Sequence, residues 1–89
     1  MMTCKRVYYS GQVQGVGFRY TAQRLAARYP VAGYVRNLAN GDVELLAEGP
    51  ADEVQAFLDA LARHMAAYIK QTRAHHEAPS GLQGFHIRH

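Results

Sequence analysis

The residues with the most chemical potential lie in one stretch, Gly11-Gln12-Val13-Gln14-Gly15-Val16-Gly17-Phe18-Arg19-Tyr20. A glycine-rich turn between a strand and a helix lets successive backbone N–H groups converge, and the helix N-terminus adds a partial positive charge at the same point. Arg19 adds a fixed cation whose planar fork of donors matches phosphate oxygens. Such a stretch is an oxyanion cradle, best suited to a phosphoryl group.

Several phosphate chemistries are excluded by the residues. A nucleotide-binding loop of the GxxxxGK[ST] type needs a lysine after its glycines, and none follows here. A cysteine-based phosphatase would carry its nucleophile shortly before the arginine, where Val13 stands. The dinucleotide fingerprint GxGxxG is unmet, because Gly15-Val16-Gly17 runs into Phe18, Arg19 and Tyr20. No serine, cysteine or carboxylate lies within the turn. What remains can bind but cannot attack. It can still catalyse hydrolysis of an already activated bond, such as a mixed carboxylic–phosphoric anhydride, where positioning and charge stabilisation carry most of the acceleration. That chemistry requires a second polar group to hold a water in line with the scissile bond.

The elements around the turn supply one. Residues Lys5 to Val13 alternate, with Val7, Tyr9, Gly11 and Val13 on one face, as a half-buried strand does. Phe18, Ala22, Leu25, Ala26 and Tyr29 recur at helical spacing, and Pro30 is expected to end that helix. A second strand follows from Ala32 to Asn37, and Asn40-Gly41 marks a hairpin into a third strand, Asp42 to Glu48, with Val43, Leu45 and Ala47 inward. Gly49-Pro50 reads as a break before a second helix, whose apolar stripe is Val54, Phe57, Leu58, Leu61 and Met65. Tyr68 to His76 reads as a strand, Pro79-Ser80-Gly81 as a loop, and Gly84 to His89 as a short last strand with Phe85 and Ile87 inward.

The order βαββαβ plus a short C-terminal strand predicts an α+β, ferredoxin-like split βαβ fold, with two helices on one face of a largely antiparallel sheet. In this plan the first two strands run the same way, so the glycine turn with Arg19 and the strand end at Asn37 share one end of the sheet. Arg19 and the loop amides would hold the phosphoryl oxygens, and Asn37 would hold the water.

These segments, with Gly33-Tyr34-Val35-Arg36-Asn37, Asn40-Gly41-Asp42-Val43-Glu44, Gly49-Pro50 and Gly84-Phe85-His86-Ile87-Arg88, resemble the acylphosphatase family over nearly the whole chain. The resemblance implies hydrolysis of acyl phosphates to a carboxylate and inorganic phosphate, with no cofactor and no metal. It implies Arg19 and Asn37 as the catalytic pair, and Gln14, Gly15, Val16, Gly17, Phe18 and Arg19 as the phosphate-binding set. The sequence departs from the family pattern in three places. Tyr34 stands where a tryptophan is usual, and Ala22 where a threonine is common, with Thr21 preceding it. Met65 to Glu77 is less regular than the valine-rich strand the family leads one to expect.

The totals fit a small enzyme. The 89 residues suit one domain, 1–89, and no apolar run approaches the roughly 20 residues that span a bilayer. Without the hydrophobic stretch of a signal peptide, and with Cys4 as the single cysteine, the chain is expected to be cytoplasmic. The formal charge is +3, from lysines and arginines spread from Lys5 to Arg88, which suits a small anionic substrate better than nucleic acid. His75 and His76 are adjacent, so on a strand they point to opposite faces and cannot easily share a metal. A monomer, free-standing rather than part of a larger maturation enzyme, is expected. The competing reading is a binding module on the same fold that grips phosphate or RNA without turnover, with Tyr8, Tyr9 and Tyr20 as stacking aromatics.

Overall fold

Val7 and Tyr9 alternate with Arg6 and Tyr8, and that two-residue period commits the N-terminal segment to a sheet with one apolar face. The computed structural model describes residues 1–89 and places the elements in the order β1 (Met2–Gly11), α1 (Phe18–Ala26), β2 (Ala32–Asn37), β3 (Val43–Pro50), α2 (Ala51–His64), β4 (Ile69–Glu77) and β5 (Phe85–Arg88). The five strands form one sheet in the order β4-β1-β3-β2-β5. All pairs are antiparallel except β2 with β5. The predicted ferredoxin-like plan is therefore the observed one.

Both helices lie on the face carrying Val7, Tyr9, Val35, Val43, Leu45 and Ala47, and bury Phe18, Ala22, Leu25, Val54, Phe57 and Leu61 against it. Phe57 is fully buried and sits edge-on to Phe85, with ring centroids 5.5 Å apart. Removing such a ring costs about 3–5 kcal/mol. Tyr9 packs on Phe18 at 4.9 Å, so the strand before the glycine turn and the helix after it share one apolar anchor. No helix is long and apolar enough to cross a membrane.

Some boundaries differ from the sequence expectation. Helix α1 stops at Ala26 rather than at Pro30, because the last turn tightens: Arg28 N donates to Leu25 O and Tyr29 N to Ala26 O. The residue before a proline disfavours helical dihedrals, and this acts before Pro30 itself is reached. Strand β1 begins at Met2 and ends at Gly11, leaving Val13 buried outside it. Gly49-Pro50 does not break β3; Met2 pairs with Pro50 and Thr3 with Gly49, and α2 starts only at Ala51. A Cβ on Gly49 would lie 2.6 Å from Pro30 O, so glycine permits a close backbone approach there.

The sheet's second face is not bare. Glu44 is buried, accepts hydrogen bonds from Arg6 at 3.1 Å, Arg36 at 2.6 Å and the Tyr34 hydroxyl at 3.3 Å, and so forms a polar cluster across β1, β2 and β3. Arg88 from β5 stacks over the Tyr34 ring at 3.9 Å. The segment after β4 crosses this face, where Ser80, Gly81 and Leu82 N–H donate to the buried Glu48 carboxylate at 2.7–2.9 Å. Leu82 packs on Cys4, Tyr34 and Leu46. Strand β4 forms one rim of the sheet, and its residues after Ile69 are exposed.

Candidate active site

Strands β1 and β2 are both antiparallel to β3, which lies between them, so they run in the same direction as the split βαβ plan requires. Val43 of β3 pairs with Tyr9 on one side and with Asn37 on the other. The end of β2 thus stands level with the point where β1 gives way to the glycine turn.

The turn itself uses left-handed backbone twice, at Gly15 (φ 77°) and Gly17 (φ 79°). A side chain resists this conformation, and glycine adopts it freely. Gly17 is the residue from which α1 starts, no side chain caps that end, and the first turn carries no acidic residue. The N–H groups of Gly15, Val16, Gly17, Phe18, Arg19 and Tyr20 donate to no protein acceptor, and the first bond of the helix is Thr21 N to Gly17 O at 2.9 Å. Backbone donors left free at a helix start form a site for an anion.

All of these residues but Val16 line a cleft of about 200 Å³, together with Val13 and Asn37. Arg19 and Asn37, which the sequence places at one end of the sheet, therefore face one space. The Asn37 side chain leaves its Oδ1 buried with no donor from the protein. Such a buried acceptor is costly, by about 1–3 kcal/mol, and functional sites are where such costs are tolerated. Arg19 Nη1 donates to Arg88 O and to His89 Nδ1, both at 3.3 Å. A second cleft of about 340 Å³ adjoins the first, shares Arg19 and Tyr20 with it, and is further lined by Gln23, His86, Ile87 and His89.

Two residues predicted for the cradle do not line the cleft. Val16 packs against the apolar core, and the Gln14 amide turns away to donate to Leu38 O at 2.8 Å and Asp42 O at 2.9 Å. Ala22 is fully buried in the core, and Thr21 does not line the cleft, so it does not offer a replacement hydroxyl there. His75 lies edge-on to Tyr8, and no three His, Cys, Asp or Glu side chains converge anywhere in the chain. Tyr9 is buried and the Tyr8 ring is covered by Arg73 at 5.4 Å. Only Tyr20 of the three tyrosines stands exposed.

A family model described as Acylphosphatase matches residues 5–87. The chain belongs to the acylphosphatase family. It is 48% identical over 79 residues to the acylphosphatase of Moorella thermoacetica, covering 88% of this chain and 85% of that one. It is 43% identical over 82 residues to the acylphosphatase of Gloeobacter violaceus, with coverage of 91% and 88%. The crystal structure of acylphosphatase from Bacillus subtilis superposes with a TM-score of 0.89 at 33% identity, covering the whole of both chains. The enzyme class and the substrate class follow from membership: acylphosphatases hydrolyse acyl phosphates to a carboxylate and inorganic phosphate.

Sequence reasoning missed the two buried carboxylates of this acylphosphatase fold. Burial pushes the Glu44 carboxyl up, but hydrogen bonds and charge from Arg36, with Arg6 nearby, outweigh it and hold the group below its usual range. Backbone N–H donors, Ser80 first, hold the Glu48 carboxyl low against some desolvation. The signal available was the interruption of an apolar strand by two glutamates, but their partners come from distant segments. Tyr34 is likewise more than a packing substitute for tryptophan, because its hydroxyl accepts from Arg6 at 2.8 Å and donates to Glu44.

Proposed function

We propose that Arg19 and the loop of residues Gln14 to Phe18 hold the phosphoryl group of an acyl phosphate while Asn37 orients the attacking water. The water oxygen bonds to phosphorus as the P–O bond to the carboxylate breaks. The carboxylate leaves with the bonding pair, and a phosphoryl oxygen accepts the water's proton. Developing charge on the phosphoryl oxygens meets the guanidinium and the amides, which are already oriented and need little reorganisation. The Asn37 side-chain amide hydrogen-bonds the water and so fixes its approach, since phosphoryl transfer depends chiefly on alignment. The acyl half has room in the adjoining 340 Å³ cleft beside Tyr20 and Ile87.

One observation carries this reading: a run of backbone N–H groups without acceptors, from Gly15 to Tyr20, leads into α1 beside Arg19, and its cleft is shared by Asn37. We further propose that residues 1–89 act as one monomeric, cytoplasmic domain that needs no cofactor or metal, engages no membrane and takes no nucleic-acid partner. The test is release of inorganic phosphate from benzoyl phosphate with and without a chelator. Turnover unaffected by chelation is expected. Phosphate binding without turnover would replace the proposal with a binding module, and loss of activity on chelation would return attention to the histidines.

A further inference from the structure

The cradle and the asparagine belong to segments that the sheet does not join. Strands β1 and β2 are separated by β3, at about 4.8 Å per strand spacing, and the chain leaves the β1 ladder at Gly11, before the glycine turn begins. Beyond that point core packing of Val13, Val16 and Phe18 holds the turn to the sheet, and its register against the hairpin rests on side-chain hydrogen bonds. The hydrogen bonds between residues 12–17 and the β2–β3 hairpin are two, and one atom makes both: Gln14 Nε2 donates to Leu38 O at 2.8 Å and to Asp42 O at 2.9 Å. Those carbonyls bound the hairpin turn, which is closed by Leu38 N to Asp42 O at 2.8 Å and Gly41 N to Leu38 O at 3.2 Å. Leu38 directly follows Asn37. A single amide group therefore ties the phosphate loop to the base of the hairpin that presents the water-holding residue.

We infer that Gln14 is a positioning residue that sets the separation between the Arg19 cradle and Asn37, acting on catalysis through alignment rather than by holding phosphate with its side chain. The inference rests on the proposed roles of Arg19 and Asn37. A primary amide suits the task, because one nitrogen carries two N–H donors for two carbonyls and bears no charge that would compete for the anion. Misplacement of a reacting group by about 1 Å can cost on the order of 100-fold in rate, so two bonds at this joint have catalytic weight.

The discriminating variant is Gln14→Glu, which keeps the shape and removes the donors at neutral pH. Its carboxylate would face two carbonyl oxygens and release the joint. The expected result with benzoyl phosphate at pH 7 is a fall of about 10- to 100-fold in kcat. In the neutral Gln14→Met, which puts no charge beside the anion, the inhibition constant for inorganic phosphate reads the cradle alone and should move less than about threefold on the same reasoning. As pH falls toward the usual carboxyl range near about 4.3, the introduced acid gains a proton and can donate to one carbonyl, so the ratio of variant to wild-type kcat should rise. The elements meeting here also carry Asp42 in the hairpin, Arg19 on α1 and, 3.7 Å from Asp42, Arg73 on β4. All three are present in both proteins, so they set the pH at which the ratio rises and not the direction of the change. Gln14→Met, which has no donor at any pH, should show the same loss with a flat ratio.

A wild-type kcat in either variant would overturn the inference, as would equal loss of phosphate affinity and kcat in Gln14→Met, or a Gln14→Glu ratio that stays flat on acidification. If the Gln14→Glu chain fails to fold by circular dichroism, Gln14→Met with the kcat and phosphate-inhibition comparison decides alone. Failure of the wild type to release phosphate would instead count against the proposed roles of Arg19 and Asn37.

Discussion

The guanidinium of Arg19 donates through Nη1 to the main-chain carbonyl of Arg88, 3.3 Å away, so the helix that carries the cation is tied to β5 through the cation itself. With Nη1 so held, and also 3.3 Å from His89 Nδ1, the Nε and Nη2 edge is left for a pair of phosphoryl oxygens. Arg19→Ala is expected to lower kcat/KM for benzoyl phosphate by about 3 kcal/mol in transition-state terms, and to raise the inhibition constant of phosphate. Arg19→Lys keeps charge but loses the fork, and should fall between wild type and alanine. Steady-state kinetics on the three proteins decides it; near-wild-type turnover by the alanine variant would remove Arg19 from the mechanism.

Asn37 should show the opposite split. Asn37→Ala removes the group proposed to hold water but none of the cradle's N–H donors, so kcat is expected to drop about 100-fold while phosphate inhibition changes little. Isothermal titration with phosphate beside the kinetics separates the two quantities. Parallel weakening of both would recast Asn37 as a binding residue.

Acid should weaken the fold through three paired carboxylates, two of them buried. Glu44, Glu48 and Glu77 are all held below their usual range in the folded chain, Glu77 first by its hydrogen bond from Arg6. A folded value below the unfolded one means stability that is fully present above about pH 4.3 and is lost as pH falls through the folded values. The melting temperature is therefore expected to be nearly level from pH 7 to 5 and to decline below. Glu48→Gln turns an NH2 toward one of the N–H donors of residues 80–82 and should show a lower melting temperature at pH 7 with a shallower acid decline.

Two glycines should respond in different ways to the same added methyl. A Cβ on Gly33 would lie 1.8 Å from Leu46 O, inside the β2–β3 ladder, and Gly33→Ala is expected to abolish folding as seen by circular dichroism. A Cβ on Gly17 meets nothing within 4 Å, so its cost is the left-handed backbone at φ 79°, about 1–2 kcal/mol. Gly17→Ala should remain folded, while the turn relaxes and kcat falls by more than the stability change alone would suggest.

The sequence made legible what depends on local pattern. The bounds of β2, Ala32–Asn37, and the apolar stripe of α2 follow from periodicity, and both are as expected. Arg19 and Asn37 were brought together by strand direction alone, and they line the same cleft. What could not be read depends on contacts between distant segments. Arg6 reaches Glu44 and Glu77 from β1, and the segment after β4 folds back to cap Glu48. Neither has a local signal. The family resemblance implies a phosphate-binding Gln14, whereas its side chain is directed by carbonyls of a hairpin more than twenty residues on. The tightened end of α1 was missed for a different reason: it is a local change of hydrogen bonding at Arg28 and Tyr29 that apolar spacing through Tyr29 does not reveal.

The exposed rim along β4 bears on how copies of the chain behave at high concentration. A free strand edge is a template onto which another chain can add, and long apolar rims seed fibrils. Here the rim reads Ile69-Lys70-Gln71-Thr72-Arg73-Ala74-His75-His76-Glu77, almost wholly polar. A second copy stacking in parallel register would set Lys70 against Lys70 and Arg73 against Arg73. Like charges along this rim oppose such stacking, and neutralising those two cations should shorten the lag before fibrils form.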